Sequence, residues 1–174
     1  MILRRKIYLI LGGMITDMGD PLQQSIQDRI HNLLVRVYYE DTDFSGVVYH
    51  ANYLRFAERG RSEFLHACGI HHSDLFSRPD PLAFTVVNMN IDFLAPAKID
   101  DRLAVISAYI FIKGARLHIK QAIMLGSQIL WRADVHVACI TAAGRPVRMP
   151  KDVKSLLEPH LTQEEHFLNF INKP

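Results

Sequence analysis

The spacing of apolar positions predicts one long helix in the first half of the chain. Between about residues 50 and 68, apolar side chains recur at intervals of three, four and seven, as on a helix that buries one face. Gly69 is expected to end this helix. Gly60 lies in its middle and weakens it by up to about 1 kcal/mol relative to alanine. A residue without a side chain at this point indicates that another backbone approaches closely.

Stretches rich in apolar and β-branched residues predict strands on both sides of the helix. The strand before it covers residues 32–39 and leads into a polar loop. Four strands follow the helix, at residues 84–94, 102–112, 116–125 and 128–141. Pro96 ends the first of these four, and Gly144 and Pro146 break the last. Their hairpin-like spacing predicts antiparallel pairing.

These elements predict a two-layer α+β domain, because a helix with one apolar stripe and a sheet with one buried face can cover each other. The curved antiparallel sheet would wrap around the one long helix. We expect residues 1–31 to be an N-terminal extension, disordered or with a short helix over residues 21–31, and residues 71–81 to be a loop. Residues 32–155 would form the domain. Residues 156–174 would form a C-terminal tail or helix, part of a helical stretch interrupted near Pro159.

Composition agrees with a single folded domain and excludes some classes of function. The chain has 174 residues, of which 49% are hydrophobic and 22% charged, enough to form a core. The net charge of +2 is spread along the chain, which argues against nucleic-acid binding. Only two cysteines occur, Cys68 and Cys139, so we expect buried thiols rather than disulfides and a cytoplasmic location.

The N-terminus has a weak resemblance to a targeting segment. Three basic residues, at positions 4–6, precede a short apolar run at residues 7–11. That run is shorter than the apolar part of a usual signal peptide and far too short to span a membrane. We expect residues 1–17 to lie outside the fold, as a loose tail or an upstream start before Met18. Membrane attachment through residues 1–11 is the alternative.

The strongest chemical signal is a carboxylate-rich loop directly before the predicted helix. It contains Asp41 and Asp43, and Gly46 allows it to turn tightly beside a ligand. The first backbone N–H groups of a helix lack internal partners and carry partial positive charge, so they can polarise an acyl carbonyl. A carboxylate beside them could attack the carbonyl or deprotonate a water. The alternative is that either aspartate only caps the helix or the turn.

The string that begins at Tyr39, passes through Asp43 and ends in Gly46-Val47-Val48-Tyr49-His50 resembles the 4-hydroxybenzoyl-CoA thioesterase family of hotdog-fold enzymes. Within that family it is most similar to the bacterial acyl-CoA thioesterases encoded with the Tol–Pal envelope system. Residues 92–97, 100–101 and 144–148 match in the expected order, and the resemblance covers about residues 32–155.

The resemblance implies an acyl-CoA thioesterase with Asp43 as its catalytic carboxylate. It places His50 in the site, with its backbone N–H positioned to polarise the thioester carbonyl, and it makes Tyr39 a site tyrosine. Family members are dimers or tetramers with each active site at a dimer interface, across which CoA lies. No metal or redox cofactor is implied. The acyl donor is CoA, or an acyl-carrier protein as an alternative.

Several roles stay open from the sequence. Asp43 is either nucleophile or general base, and His50 either acts as a base or orients Asp43 or the water. Asp41 is expected to shape the loop. The substrate would also contact Gly46, Val47 and Tyr49. The turn formed by Lys113, Gly114, Ala115 and Arg116 is either a plain hairpin or a binding site for CoA phosphates.

Other clusters and functions are weaker alternatives. Ser45, His50 and Asp43 are not expected to form a triad, because the Gly-x-Ser-x-Gly elbow is absent. His66, His71, His72 and Asp74 match no standard metal spacing and are expected in a solvated loop. The rival functions are a hotdog enoyl-CoA hydratase and a non-catalytic partner that binds acyl-CoA or acyl-carrier protein in phospholipid metabolism. The residues after Asp43 do not match the hydratase loop.

Overall fold

The computed structural model describes residues 24–173, and the expectations for residues 1–23 lie outside that range. Six strands occur in chain order: β1 (Gln24–Gln27), β2 (Ile30–Arg36), β3 (Leu82–Phe93), β4 (Arg102–Lys113), β5 (Arg116–Leu125) and β6 (Gln128–Thr141). The helices are α1 (His50–Ala67), α2 (His72–Phe76), α3 (Lys151–Leu157) and α4 (Glu164–Ile171), with 3-10 turns at Tyr39–Asp41 and Glu158–His160. Within the described range, none of the helices has the length and apolarity needed to span a bilayer.

The strands form one antiparallel sheet in the order β1-β2-β4-β5-β6-β3. Tight turns join β4 to β5 and β5 to β6, where Gly114 and Gly126 have positive φ angles of 63° and 59°. The strand β3 pairs with β6 at the edge of the sheet and not with β4. Hairpin spacing therefore predicted the antiparallel direction of β3 correctly, but the segment after β3 crosses to the other side of β5 and β6.

One face of the sheet, here called the inner face, packs against α1. Phe64 of α1 is fully buried and stacks on Tyr109 of β4, with ring centroids 4.1 Å apart. Burying a phenylalanine of this kind contributes about 1.5–3 kcal/mol. A curved antiparallel sheet around one long helix is the hotdog α+β arrangement expected from the sequence, and it is confirmed.

The close approach expected at Gly60 exists, but it involves side chains of the sheet and not a backbone. A Cβ atom on Gly60 would lie 2.7 Å from Cγ1 of Val105 and 3.1 Å from Oγ of Ser107. Beneath the same turn of α1, the buried Arg61 donates to Oε1 of Gln121 (2.7 Å), and Gln121 donates to Ser107 (2.9 Å). Hydrogen bonds thus join the buried side chains of Arg61, Gln121 and Ser107, and they offset the free-energy cost of burying polar groups.

The opposite, outer face of the sheet is partly covered by α4. Phe167 and Ile171 of α4 are buried against Ile106 and Ala122 of the sheet. The expected C-terminal helical stretch is confirmed, and the 3-10 turn at Glu158–His160 interrupts it at the predicted proline.

Two local predictions were wrong. Residues 21–31 do not form a helix in their described part, because β1 and the start of β2 occupy it with a two-residue turn at Asp28 and Arg29, which both have positive φ. Residues 71–81 are not all loop, because α2 lies within them and buries Leu75. Both segments are short, and tertiary contacts decide the conformation of short segments.

Candidate active site

The loop between β2 and α1 is held by its own backbone in a tight turn. The N–H of Asp43 donates to the carbonyl of Val47 (3.0 Å), and the N–H of Gly46 donates to the carbonyl of Asp43 (3.0 Å). Gly46 has a φ of 78°, a conformation that side-chain-bearing residues rarely adopt. Val48 then donates to the carbonyl of Ala97 (2.8 Å), which attaches the loop to the segment before β4.

Asp41 has the loop-shaping role expected of it. Its side chain is buried, and Oδ2 accepts a hydrogen bond from the N–H of Tyr38 at 2.9 Å. Its carbonyl accepts from the N–H of Tyr49 and from Nδ2 of Asn52, each at 2.9 Å. All of these groups belong to the loop or to α1, so Asp41 joins the loop to the helix start and is not available to a ligand.

Asp43 is exposed and has a different environment. Its Oδ1 accepts hydrogen bonds from the N–H of Ser45 (2.8 Å) and from its hydroxyl (2.5 Å). These two bonds, with a smaller contribution from the positive potential of His50, hold the pKa of the Asp43 carboxyl below its usual value. The carboxylate therefore caps a turn and not the helix, and it is ionised at neutral pH.

The start of α1 lies open beside this loop. Tyr49 is the N-cap residue and makes no side-chain hydrogen bond to the helix, and the first turn contains no acidic residue. Its first N–H groups therefore have no side-chain acceptor, a condition that favours binding of a carbonyl oxygen or an anion. His50 is the first helical residue, and its ring lies 4.3 Å from that of Tyr49, measured between centroids.

Two clefts are lined by residues of this loop and of the helix start. The first has a volume of about 430 Å³ and is lined by Asp43 together with Tyr39, Phe44 and Ile99. The second has a volume of about 350 Å³ and is lined by His50 together with Tyr53, Phe93 and Leu94. Asp43 and Tyr39 thus line one cleft, whereas His50 lines the other.

Several of these lining residues were not predicted from the sequence. Ile99, Phe93 and Leu94 belong to or follow β3 and reach the loop only because the chain crosses back to β4 after that strand. Their apolar character was visible, but an apolar residue near a strand end is equally typical of core. Tyr53 was assigned to the helix stripe, and its hydroxyl also accepts a hydrogen bond from the N–H of Ala97 at 2.8 Å.

The turn at Lys113, Gly114 and Arg116 lies far from Asp43 within one chain. β4 begins beside the loop and ends at this turn, and its twelve residues extend over about 36 Å. Gly114 has a positive φ, as the tight turn requires, and its carbonyl accepts from the N–H of Met149 at 3.0 Å. A single protomer does not bring this turn to the carboxylate.

The clusters judged weak from the sequence do not form sites of the suspected kinds. Ser45 bonds to Asp43 and not to His50, so no relay of a triad type exists. His66 lies with its ring centroid 5.1 Å from that of His71 and 6.3 Å from that of His72, at the exposed end of α1. Among residues 24–173, these histidines are not part of a three-ligand group close enough to hold a metal ion.

Comparison with known proteins identifies the relatives of this chain. The model of the thioesterase-like superfamily matches residues 37–157. The acyl-CoA thioesterase YbgC of Haemophilus influenzae is 43% identical over 122 residues, which cover 70% of this chain and 89% of the relative. The acyl-CoA thioester hydrolase YbgC of Escherichia coli O6:H1 is 38% identical over 121 residues, which cover 68% of this chain and 89% of the relative.

A solved structure shows the same fold over most of the chain. The probable thioesterase from Bartonella henselae superposes with a TM-score of 0.68 at 45% identity and covers 70% of this chain and 99% of the other. The part of this chain that the family model matches contains the loop of Asp43, α1 and all of the strands from β3 to β6.

Proposed function

The chain belongs to the thioesterase-like superfamily, and on that premise we propose that it is an acyl-CoA thioesterase that uses Asp43 to hydrolyse the thioester. The reaction would convert an acyl-CoA and water into the free acid and CoA. The observation that carries the proposal is an exposed, ionised carboxylate beside an uncapped helix start, in a chain 43% identical to an acyl-CoA thioesterase. A link to the Tol–Pal system and a cytoplasmic location stay predictions.

In the proposed reaction, the thioester carbonyl oxygen would point at the first N–H groups of α1, including that of His50. The partial positive charge of these N–H groups would stabilise the negative charge that develops on the oxygen. The tetrahedral oxyanion would then collapse, the carbon–sulfur bond would break, and CoA would leave as a thiolate that takes up a proton. Tyr39, Gly46, Val47 and Tyr49 would surround the acyl group and the pantetheine arm.

Asp43 could act in either of two balanced ways. As general base it would take a proton from a water, whose oxygen attacks the carbonyl carbon. As nucleophile its own oxygen would attack, giving a mixed anhydride that water hydrolyses to restore the carboxylate. Both mechanisms need an ionised carboxylate, and the lowered pKa of Asp43 supplies it for either one. Neither mechanism is favoured over the other by the geometry.

The site is proposed to be completed by a second copy of the chain. β3 is an edge strand, and Val86, Val87 and Phe93 on it are exposed. A long edge strand with exposed apolar residues is a template for pairing with another chain. Two copies paired antiparallel along β3 would bring the Leu82 end of one strand to the Phe93 end of the other. This would carry Lys113, Gly114 and Arg116 of one copy towards the site of its partner.

That pairing gives the basic turn a role that it lacks within one chain, as a binding site for CoA phosphates across the interface. The assembly would be a homodimer, or a homotetramer built from it. A single chain would then hold only part of each site, and an acyl-carrier protein could present its own acyl group to the same cleft.

Release of free thiol from a panel of acyl-CoAs, graded in chain length and including one aromatic acyl group, tests the function. Wild type, Asp43→Asn and Asp28→Asn would be compared. Asp28 is an exposed aspartate at the opposite edge of the sheet, so its variant controls for the loss of one charge. We expect turnover to fall about 10³-fold in Asp43→Asn only, the range of a lost general base or nucleophile.

If binding of acyl-CoA persists while the wild type turns over none of these substrates, nor an acyl-carrier protein thioester, the hydrolase assignment is wrong and a binding role replaces it. If the wild type does turn over, a single turnover in ¹⁸O-labelled water tests the role of Asp43 as nucleophile or general base. Label in the Asp43 carboxylate indicates a nucleophile whose anhydride is attacked at the Asp43 carbon. Label only in the product acid fits a general base, or an anhydride attacked at the acyl carbon, and trapping the anhydride with hydroxylamine separates these two.

A further inference from the structure

We propose that His118, Asp134 and His136 form a binding site for a divalent transition metal of the zinc class on the outer face of the sheet. Their ligand atoms, one from each residue, all lie within 4.8 Å of one another. The site lies on β5 and β6, on the face opposite α1, and is separate from the loop of Asp43. It goes beyond the proposed function.

Sheet geometry places the three side chains together. His118 and His136 are register partners in the antiparallel pair β5–β6, and Asp134 is two residues before His136. Cross-strand partners and residues two apart on one strand share a face, at spacings that long side chains bridge easily. The neighbouring residues Leu117, Ile119 and Val135 belong to the core against α1, so the three ligands face the other way.

The distances are close to those of a tetrahedral site. Asp134 Oδ1 lies 2.7 Å from Nε2 of His118 and 3.3 Å from Nε2 of His136. With metal–nitrogen and metal–oxygen bonds of about 2.0–2.1 Å, tetrahedral ligand atoms are about 3.3 Å apart. The contact with His136 already has that separation. A metal would displace the proton of the hydrogen bond between His118 and Asp134, and that contact would lengthen. The fourth position would be filled by water.

The surroundings hold His118 and Asp134 in place and leave His136 room to move. The imidazole rings of His118 and His136 stack in parallel, with centroids 4.7 Å apart, so one ring must tilt before both nitrogens point at one ion. His118 is buried, whereas the partly exposed His136 is free to tilt. Lys120 forms an ion pair with Asp134 through Oδ2, which leaves Oδ1 directed at the histidines. A carboxylate whose second oxygen is engaged by a neighbour is the usual arrangement around metal ligands.

Lys120 also places a positive charge near the proposed cation. Its Nζ is bonded to Oε1 of Glu164 on α4 as well, at 2.8 Å, so two carboxylates offset one ammonium. Both histidines are neutral when they bind a metal. His118, His136, Asp134, Lys120 and Glu164 then carry one net negative charge, which favours a cation. The donor set of two imidazoles and one carboxylate favours zinc, cobalt or nickel over calcium and magnesium, which prefer oxygen ligands.

The test is a zinc titration of the full-length, chelator-treated protein without an affinity tag, in competition with a chromophoric chelator. We expect one zinc per chain, and cobalt in its place should show the visible absorption of a tetrahedral site. His136→Gln is the main variant, because the His136 side chain is 42% exposed and its replacement is expected to keep the fold, which circular dichroism checks. We expect it to weaken zinc binding at least tenfold.

A matched control is the double variant His71→Gln, His72→Gln, which removes the other group of neighbouring histidines at the exposed end of α1. It should leave the affinity unchanged. Zinc binding that is equal in wild type and His136→Gln, or that is lost only in the control, would overturn the proposal. So would binding too weak to compete with the chelator. Hydrolysis is not the readout, so failure here is distinguishable from failure of the proposed function.

Discussion

Two aspartates, one in the loop before α1 and one on the outer face of the sheet, show how differently a carboxylate can be held. Asp43 is exposed, and both hydrogen bonds of its carboxylate come from Ser45, two residues further along the same loop. Asp134 is half-buried, and its partners His118 and Lys120 lie on another strand. Local bonds leave Asp43 free to meet a ligand, whereas long-range partners tie Asp134 into the sheet.

The pKa of each carboxyl lies below its usual value, for different reasons. For Asp134, burial raises the pKa, and hydrogen bonds and charge from Lys120 and His118 lower it by more. For Asp43, the hydroxyl and N–H of Ser45 lower it with little opposition from burial. The two groups are therefore both ionised at neutral pH, but only one presents its charge to solvent.

The largest expected effect comes from making the same substitution, aspartate to asparagine, separately at the two positions. Asp43→Asn should lower kcat/KM for an acyl-CoA about 10³-fold and leave zinc affinity unchanged. Asp134→Asn should weaken zinc binding at least about tenfold and keep kcat/KM within about a factor of two, because it removes a proposed ligand and touches no part of the site. Thiol release and zinc titration on both variants measure this. A loss of turnover in both would mean that the regions are coupled.

A second contrast is between His118, which is bonded to the carboxylate of Asp134, and His31, which has no acid partner. His31 is fully buried on the inner face, bonded to Gln24, and burial lowers its pKa to about 4. Its folded-state pKa is below the unfolded value of 6.5, so the stability it contributes is complete above pH 6.5 and is lost as the pH falls towards 4.

We therefore expect the free energy of unfolding to fall by about 2 kcal/mol more between pH 7 and pH 5 in wild type than in His31→Gln. Urea unfolding at the two pH values measures it. Comparing the two proteins cancels the contributions of the other histidines. Equal losses in the two proteins would show that His31 is not the group responsible.

The inner face is also the more tightly packed of the two. Gly60→Ala places a methyl group 2.7 Å from the branched side chain of Val105, so the helix or β4 must shift. Overpacking of this kind costs about 1–3 kcal/mol, of which the better helix propensity of alanine recovers up to about 1 kcal/mol. We expect a net loss of about 1–2 kcal/mol in urea unfolding. Arg55→Ala, at an exposed position of the same helix, should change stability by less than about 0.5 kcal/mol.

The smallest expected effect concerns Ser45. Removing its hydroxyl in Ser45→Ala eliminates the largest cause of the lowered pKa of Asp43 and leaves the backbone bond. The pKa should rise, so the acid limb of the kcat/KM profile should move to higher pH while the rate at neutral pH changes little. Thiol release across the acid range in overlapping buffers measures the shift. A limb that does not move would assign it to a group other than Asp43.

Much of the fold was predictable because its signals are local. α1 was predicted within one residue of its observed end, and β5 and β6 with their observed bounds, since each has a clear apolar period and a glycine at its boundary. β3 was predicted as an antiparallel strand, but its neighbour was not, because no local pattern tells a strand which of two partners it will meet. The strand β1 was missed because four residues have too few side chains to show a period.

The candidate site divides in the same way. Tyr39, Asp41, Asp43, Gly46 and His50 lie within one loop and the first residue of a helix, so their spacing along the chain already places them close together. Phe93, Leu94 and Ile99 join them only through the crossover after β3. The proposed metal ligands come from two strands whose register sets their contact, and neither strand has a motif of its own.

The sequence by itself determined the helix, the strand directions, the loop with its carboxylate and the family, because each depends on residues that are neighbours along the chain. The tertiary structure alone decided that β3 lies at the edge beside β6, that Gly60 contacts Val105, and that Asp134 lies between two histidines and a lysine. The physical reason is that pairing and register follow from burying one whole face of a sheet, a sum over many side chains that no single stretch of sequence contains.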